Sequence, residues 1–413
     1  MYYMRTNIKL LFFYLLIFCV CIFLSGHSYS IVVGSGIDIV MITIGLIACV
    51  WISPRLELPK RLNANGFFLI CITIGALMSY MLYSGQNVWI DPLLLLGKIL
   101  LAYLITQRLH FKDYARLFVD VMTLLSTIAI CVYALLRAGV TIPSFSYMGL
   151  DGRGIYHTIW LCTWSDFSER LMGPFWEAGL FSSMAVYALL CEGCFTGRKP
   201  RKLPIAIILI GIILTNSTAG YLLALLSLYI IYFQLKSHRG LVDIITLIVV
   251  IVLFLFRERI IESLVSLNHD VFWKLNEKNI SANTRLLSPV ACFQVFLKNP
   301  LTGLGISYAT DQYNLYKSIF GMDALTSTST FMLAAFGIWG GSYTWFLCRG
   351  AWKQKQFGIT TRILLVIILL LIVNKEPHTS IIFTYIMMFY MNKCEDNGEV
   401  LLLSGKTFYM DKG

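Results

Sequence analysis

The chain has 413 residues, 58% of them hydrophobic and only 13% charged, with a mean hydropathy of +0.74. That balance excludes a soluble globule of this size and indicates a membrane protein. The formal net charge of +11 does not imply a nucleic-acid partner, because most lysines and arginines lie in short connections between apolar runs, where they fix topology and meet anionic headgroups.

Apolar segments of about 15 to 23 residues suit helices crossing roughly 30 Å of hydrocarbon. They recur at 10–24, 31–52, 66–84, 91–107, 116–138, 175–193, 203–215, 218–235, 241–256, 329–348, 361–374 and 378–391. The expected fold is all-α, a polytopic membrane helical bundle of about 12 spans, since barrel strands would alternate residue by residue. The first run follows Arg5 and Lys9 and reads as a retained span rather than a signal peptide, because "SYS" at Ser28 to Ser30 is a weak cleavage site and another span begins at once. No internal repeat and no strongly charged residue deep in a span is evident, which speaks against a transporter. The 11 cysteines fall mostly within apolar runs. The pair Cys191 and Cys194 reads as small hydrophobes, since a zinc site needs two further ligands nearby.

Basic residues set the expected orientation. Arg55, Lys60 and Arg61, then Arg108 and Lys112, the "GRKPRK" run at 197–202, Lys236 and Arg239, and the 349–362 connection all fall on one side, while connections 25–30, 84–90 and 215–218 carry no lysine or arginine. The positive-inside rule makes the basic side cytoplasmic, with both termini there. It also forces a turn near Asn216 inside the apolar stretch 203–235. The resulting organisation is five spans within 1–138, a first long extracytoplasmic loop at 139–174, four spans within 175–256, a large extracytoplasmic loop at 257–328, three spans within 329–393 and a cytoplasmic tail at 394–413. Long loops on an otherwise economical bundle are where function is expected.

The first long loop interleaves Asp151, Arg153, His157, Asp166, Glu169 and Arg170 with aromatic residues that include Trp160 and Trp164, and Trp176 follows at the next helix mouth. Aromatic faces beside charged groups suit a sugar, whose CH faces pack on rings and whose hydroxyls bond to the charges. An interfacial aromatic belt is the other reading of the same residues. In the second loop, "TRLLSPVACFQVFLKNPLTGLG" places Leu286, Leu287, Val290, Phe293, Phe296 and Leu297 at helical spacing after Arg285, and Pro300, Gly303 and Gly305 end the run. This predicts an amphipathic helix lying on the bundle or in the interface. Its arginine is suited either to a diphosphate or to lipid phosphate.

In order, "RLMGPFWEAG" entering a span, "LTNSTAGYLLALLSL" at 214–228, "TRLLSPVACFQVFLKNPLTGLG" and "STSTFMLAAFGIWGG" at 327–341 resemble the O-antigen polymerase and O-antigen ligase superfamily over residues 165–350. The resemblance implies a GT-C-type membrane glycosyltransferase in the bacterial inner membrane, with its active face in the periplasm. Its implied substrate is an undecaprenyl diphosphate-linked oligosaccharide, and its implied activity is that of an O-antigen polymerase. Membrane lipid surrounds it, and a polysaccharide chain-length regulator is the candidate protein partner. The resemblance also implies that Arg170 and Arg285 hold the diphosphate, with Arg153 a further candidate. Ala178 stands where many relatives have proline. The histidine that ligases place at the start of the "STST" span is replaced by Ser327, Thr328, Ser329 and Thr330, which disfavours the ligase.

Transfer from a lipid diphosphate needs a base for the attacking hydroxyl and positive charge for the leaving group. Glu177 is the expected base, followed by Asp166, Glu169 and His157. His378 with Glu376, in "NKEPHTS", is a further candidate pair, or else an interfacial cap. No paired aspartates suggest a metal, and no cofactor is expected. A lipid-linked oligosaccharide flippase is the alternative from another class, and the long loop 257–328 argues against it.

Overall fold

The structure is a computed structural model and describes residues 8–52, 63–83, 90–148, 154–158, 162–165, 170–234, 280–322 and 324–393. The chain is mostly helical. Helices α1 (Ile8–Phe23), α2 (Ser28–Val33), α3 (Ser35–Ile52), α4 (Ala64–Tyr83), α5 (Ile90–Arg108) and α6 (Phe111–Arg137) precede strands β1 (Phe145–Met148), β2 (Gly154–Thr158) and β3 (Cys162–Ser165). There follow α7 (Ala178–Leu190), α8 (Lys202–Leu214) and α9 (Thr218–Tyr229), then α10 (Ile280–Lys298), α11 (Ile306–Phe320), α12 (Thr328–Phe336), α13 (Gly341–Trp352), α14 (Ile359–Lys375) and α15 (Ile382–Lys393). The expected span 241–256 and the tail 394–413 lie outside the described residues.

Among the described residues, five helical stretches, 64–81, 90–108, 111–137, 178–195 and 328–352, are long and apolar enough to cross a membrane. Their surroundings agree with that composition. Ile47, Met81, Leu124, Leu203, Ile213 and Leu225 are all more than half exposed, a surface costly to wet and compatible with hydrocarbon. The turn expected near Asn216 is present: Thr215 and Asn216 reverse the chain between α8 and α9, with Asn216 at a φ of 46°.

Two features depart from the reading of the sequence. Within the first long loop the chain forms a three-stranded antiparallel sheet in the order β1-β2-β3, so the helical bundle carries a small β cap. Tyr156 pairs across to Ser146 and to Trp164, and its ring stacks on Trp164 at 6.0 Å. Tyrosine, tryptophan and threonine fit a pleated surface, but strands this short leave little periodicity to detect. The second departure is a correction. Lys98 lies well inside α5 and is almost fully enclosed, bonded to Asp38 of α3 at 2.7 Å, so a charge does sit deep in a helix. The pairing spans two helices distant in sequence and neutralises a lysine that looks isolated in its own run.

The bundle has two chemically distinct ends. At the basic end, Arg116 donates to Thr196 O at 3.0 Å, Lys393 to Thr106 O at 2.7 Å and Arg349 to Asn392 Oδ1 at 2.6 Å. Buried Glu192 takes two bonds from the Arg201 side chain. At the other end, the site end, Ser28 N donates to Pro174 O at 3.0 Å, Trp176 N to Gly26 O at 3.1 Å, Leu171 N to Leu214 O at 3.0 Å and Ile382 N to Leu24 O at 3.3 Å. Four connections distant in sequence are thereby tied together.

The predicted amphipathic helix is α10, and its packing has a particular sense. Thr284, Ser288, Ala291, Cys292 and Val295 are buried, whereas Leu286, Val290, Phe293 and Leu297 are exposed. Small residues face the bundle and allow close approach to α12, while the large apolar stripe faces outward. The segment after α10 then inserts into a break in the next helix. α12 ends at Gly337, with φ 60° and ψ −147°, and a 3-10 turn over Gly337–Gly340 leads into α13. The freed groups are used: Leu304 N donates to Ala334 O at 3.0 Å and Gly305 N to Ala335 O at 2.8 Å, while the N–H of Ile338 donates back to Pro300 O at 2.8 Å.

At Gly337 a Cβ would lie 2.7 Å from Gly303 N and Leu301 O, at a backbone conformation that side chains avoid. Gly337→Ala should therefore lower stability by about 3 kcal/mol. Gly321→Ala, at a left-handed residue with nothing within 4 Å of the added methyl, should cost about 1 kcal/mol. Unfolding of the detergent-solubilised protein followed by tryptophan fluorescence checks this. Equal losses would rule out the backbone-to-backbone account.

Candidate active site

The segment "RLMGPFWEAG" runs across the site end before entering α7. Leu171 and Phe175 are buried and anchor it, while its backbone is held by the connections before α2 and after α8. This fixes Arg170 at its start. Arg170 Nε donates to Thr215 O at 2.9 Å, and its Nη1 lies 3.4 Å from Glu177 Oε1. Glu177 is the N-cap residue of α7, with an extended backbone and no side-chain capping bond. Its carboxylate thus faces the guanidinium at the positive end of the helix.

Three further charged side chains enter from elsewhere. Arg285, on the first turns of α10, has its Nε enclosed without a hydrogen-bond partner among the described residues. Lys375, the last residue of α14, is buried, and its ammonium donates to Gly179 O at 3.0 Å and to Ser182 Oγ. Glu376 follows with an extended backbone that ends the helix. Its carboxylate rests on Gly179 so closely that a Cβ there would overlap it. Among the described residues it makes no hydrogen bond and no ion pair.

The electrostatics tie these groups into one cluster. Glu376 keeps part of its surface open but is surrounded by protein, and desolvation raises its pKa above the ordinary carboxylate value. The nearby Glu177 charge raises it further, while Lys375, Arg285 and Arg170 pull it down. Both guanidiniums therefore lie within electrostatic reach of the same carboxylate, although 115 positions, 170 to 285, separate them. An array of two arginines and one lysine against two carboxylates leaves net positive charge and spare N–H donors at a helix mouth. That combination can hold a polyanionic group and move a proton next to it.

The expected residues are distributed as follows. Arg170 and Glu177 pair, and Arg285 lies in electrostatic reach of the neighbouring Glu376. Trp176 is partly buried beside the Gly26 turn, with its Nε1 2.9 Å from where a Gly26 Cβ would stand. Trp164 is on β3, stacked on Tyr156, and His157 is on β2 opposite Phe145 and Thr163. Arg153, Trp160, Asp166 and Glu169 lie outside the described residues. His378 is wholly buried. Its backbone N–H donates to Thr328 Oγ1 at 2.7 Å and its Nδ1 meets Thr384 Oγ1 at 2.8 Å. It therefore braces the turn and is shielded from a ligand. Lys375 was not singled out by the sequence. Its signal was a charged pair directly before proline at the end of an apolar run.

The turn bearing Glu376 is supported from behind by the buried ion pair, because Lys98 Nζ also donates to Ser380 O at 3.2 Å. Asp38→Asn should destabilise the protein by about 3 kcal/mol by leaving the Lys98 ammonium without its counter-charge. Lys98→Met combined with Asp38→Asn should cost less than the sum of the two single changes. A double-mutant cycle of unfolding measures this, and additive losses would mean that the pair contributes nothing as a pair.

The chain matches no family profile, no curated protein and no solved structure.

Proposed function

We propose that the chain is a membrane glycosyltransferase of the O-antigen polymerase type. It moves a growing glycan from undecaprenyl diphosphate to the nonreducing end of a new lipid-linked repeat unit. In this reading the bundle has about 12 spans in a GT-C-type arrangement. The basic end faces the cytoplasm with both termini, and the site end opens at the periplasmic face of a bacterial inner membrane.

The observation that carries this reading is the Arg170–Glu177 pair at the mouth of α7, with the Glu376 carboxylate seated on Gly179 of the same helix start and Arg285 in electrostatic reach of it. As the glycosidic bond to the lipid breaks, charge grows on the diphosphate. Preorganised guanidiniums at a poorly hydrated helix end stabilise that charge where it develops. Arg285 has an enclosed Nε without a partner among the described residues, which leaves donor capacity for a ligand. Arg170 is oriented by Thr215 and Glu177, which leaves the rest of its fork available. Trp164 and Tyr156 on the β cap offer a stacked aromatic surface suited to sugar rings.

The experiment is reconstitution of the full chain in lipid nanodiscs with lipid diphosphate-linked repeat units and no nucleotide sugar. The expected product is a ladder of longer glycans. Arg170→Ala and Arg285→Ala should each slow its formation by about 100-fold or more. Arg→Lys at either position should recover little, because lysine does not supply the planar fork. Transport of the substrate across vesicles without a ladder would assign a flippase instead, and transfer to a lipid A-core acceptor without chain growth would assign a ligase.

A further inference from the structure

The two carboxylates at the site end are held differently. Glu177 is engaged: it sits 3.4 Å from Arg170, on the segment that enters α7. Glu376 comes from the end of α14, its carboxylate without a hydrogen bond or ion pair among the described residues and with part of its surface open. Its position is nonetheless fixed. The backbone before it is anchored by Lys375 to the first turn of α7, its own carbonyl accepts from Thr328 Oγ1 at 3.5 Å, and Gly179 provides a seat without a side chain. A carboxylate that is rigidly placed, reachable and uncommitted has the attributes required of a proton acceptor.

We propose that Glu376 is the base that takes the proton from the acceptor hydroxyl, and that Glu177 is a positioning residue that holds Arg170 against the donor. This rests on the transferase reading above. In the step, the acceptor oxygen forms a bond to the anomeric carbon of the donor glycan as its proton passes to a Glu376 oxygen. The bond from that carbon to the diphosphate breaks, and its electron pair leaves with the diphosphate, where Arg170 and Arg285 receive the charge. Atoms and charge balance without a further reactant. Glu376 is reset when its proton is lost to solvent.

The charged and titratable groups facing Glu376 set the pH response. Glu177 comes from the segment before α7, Arg170 from the start of that segment, Arg285 from α10 and Lys375 from α14, and His378 sits on the same turn. Desolvation and Glu177 disfavour the ionised form, and the three cations oppose them. The balance is a raised value, so Glu376 becomes protonated at a higher pH than the value of about 4.3 for an ordinary glutamate. A base is active only when ionised. The rate should therefore fall as pH decreases, along an acid limb lying above the ordinary carboxylate range.

The test measures ladder formation against pH for the nanodisc protein, together with binding of undecaprenyl diphosphate alone. Glu376→Gln should lose at least about 100-fold in rate, lose the acid limb, and bind undecaprenyl diphosphate as the wild type does. Glu376→Asp keeps the charge with a shorter reach, so it should retain a measurable rate and an acid limb. Glu177→Gln should weaken undecaprenyl diphosphate binding and raise KM while keeping the limb. A Glu376→Gln protein with the wild-type rate and limb, or a Glu177→Gln protein without the limb, would overturn the assignment. A wild-type protein that builds no ladder would overturn the transferase reading itself, which is a separate outcome.

Discussion

An ammonium group enclosed at the end of an apolar bundle is costly unless its protons find acceptors and its charge finds neighbours of opposite sign. Among the described residues Lys375 finds its acceptors at the start of α7, in Gly179 O and Ser182 Oγ, and its opposite charges in Glu376 and Glu177. The bond locks the end of α14 to the start of α7, so that Glu376, the next residue, is delivered onto Gly179. Arg170 and Glu177 arrive along the segment leading into the same turn. One buried hydrogen-bonded lysine therefore fixes the separation between the two halves of the candidate site. The missing Cβ at Gly179 is what permits the contact.

Arg285 reaches the site by a different device. It rides on α10, whose inner face is made of small and hydroxyl-bearing side chains. Ser288, one turn after Arg285, accepts from the N–H groups of Thr326 and Ser327 at 3.1 and 3.4 Å. At its far end, α10 is held by the chain segment that inserts into the broken helix at Gly337. The glycines and serines of these two motifs are thus structural in their direct contacts. Their effect on the site is to set the rotation and depth of α10 and, with them, the position of one guanidinium.

Much of this was legible in the sequence, for identifiable reasons. Apolar run length located the helices, lysine and arginine spacing placed the turn at Asn216, and "RLMGPFWEAG" with Arg285 marked two of the contributing elements. The remainder depends on partners remote in the chain. Lys98 looks isolated until Asp38 is seen across the helix interface. His378 reads either as a reactive group or as an interfacial cap until its ring is found enclosed beside Thr384. The large apolar residues of α10 suggest a buried face by periodicity alone, yet the small residues between them are the ones that make the contact. Sequence periodicity reports which residues share a face of a helix, and in a bundle of this composition it does not report whether that face meets protein or hydrocarbon.

The buried pair Lys98–Asp38 connects these observations. Lys98 bonds both to Asp38 and to Ser380 O, so the turn bearing Glu376 and His378 is gripped from two sides: Lys375 binds it to α7, and Lys98 binds it to α5 and α3. A short turn held at both ends by buried charges has little freedom to adjust when a ligand arrives. Preorganisation of this kind keeps donors and acceptors in place while charge redistributes, which is more effective in a poorly hydrated site than in water. The ion pair inside the bundle therefore belongs to the architecture of the site, although no ligand needs to reach it. Its cost in desolvation is offset by the rigidity it gives to the turn that carries Glu376.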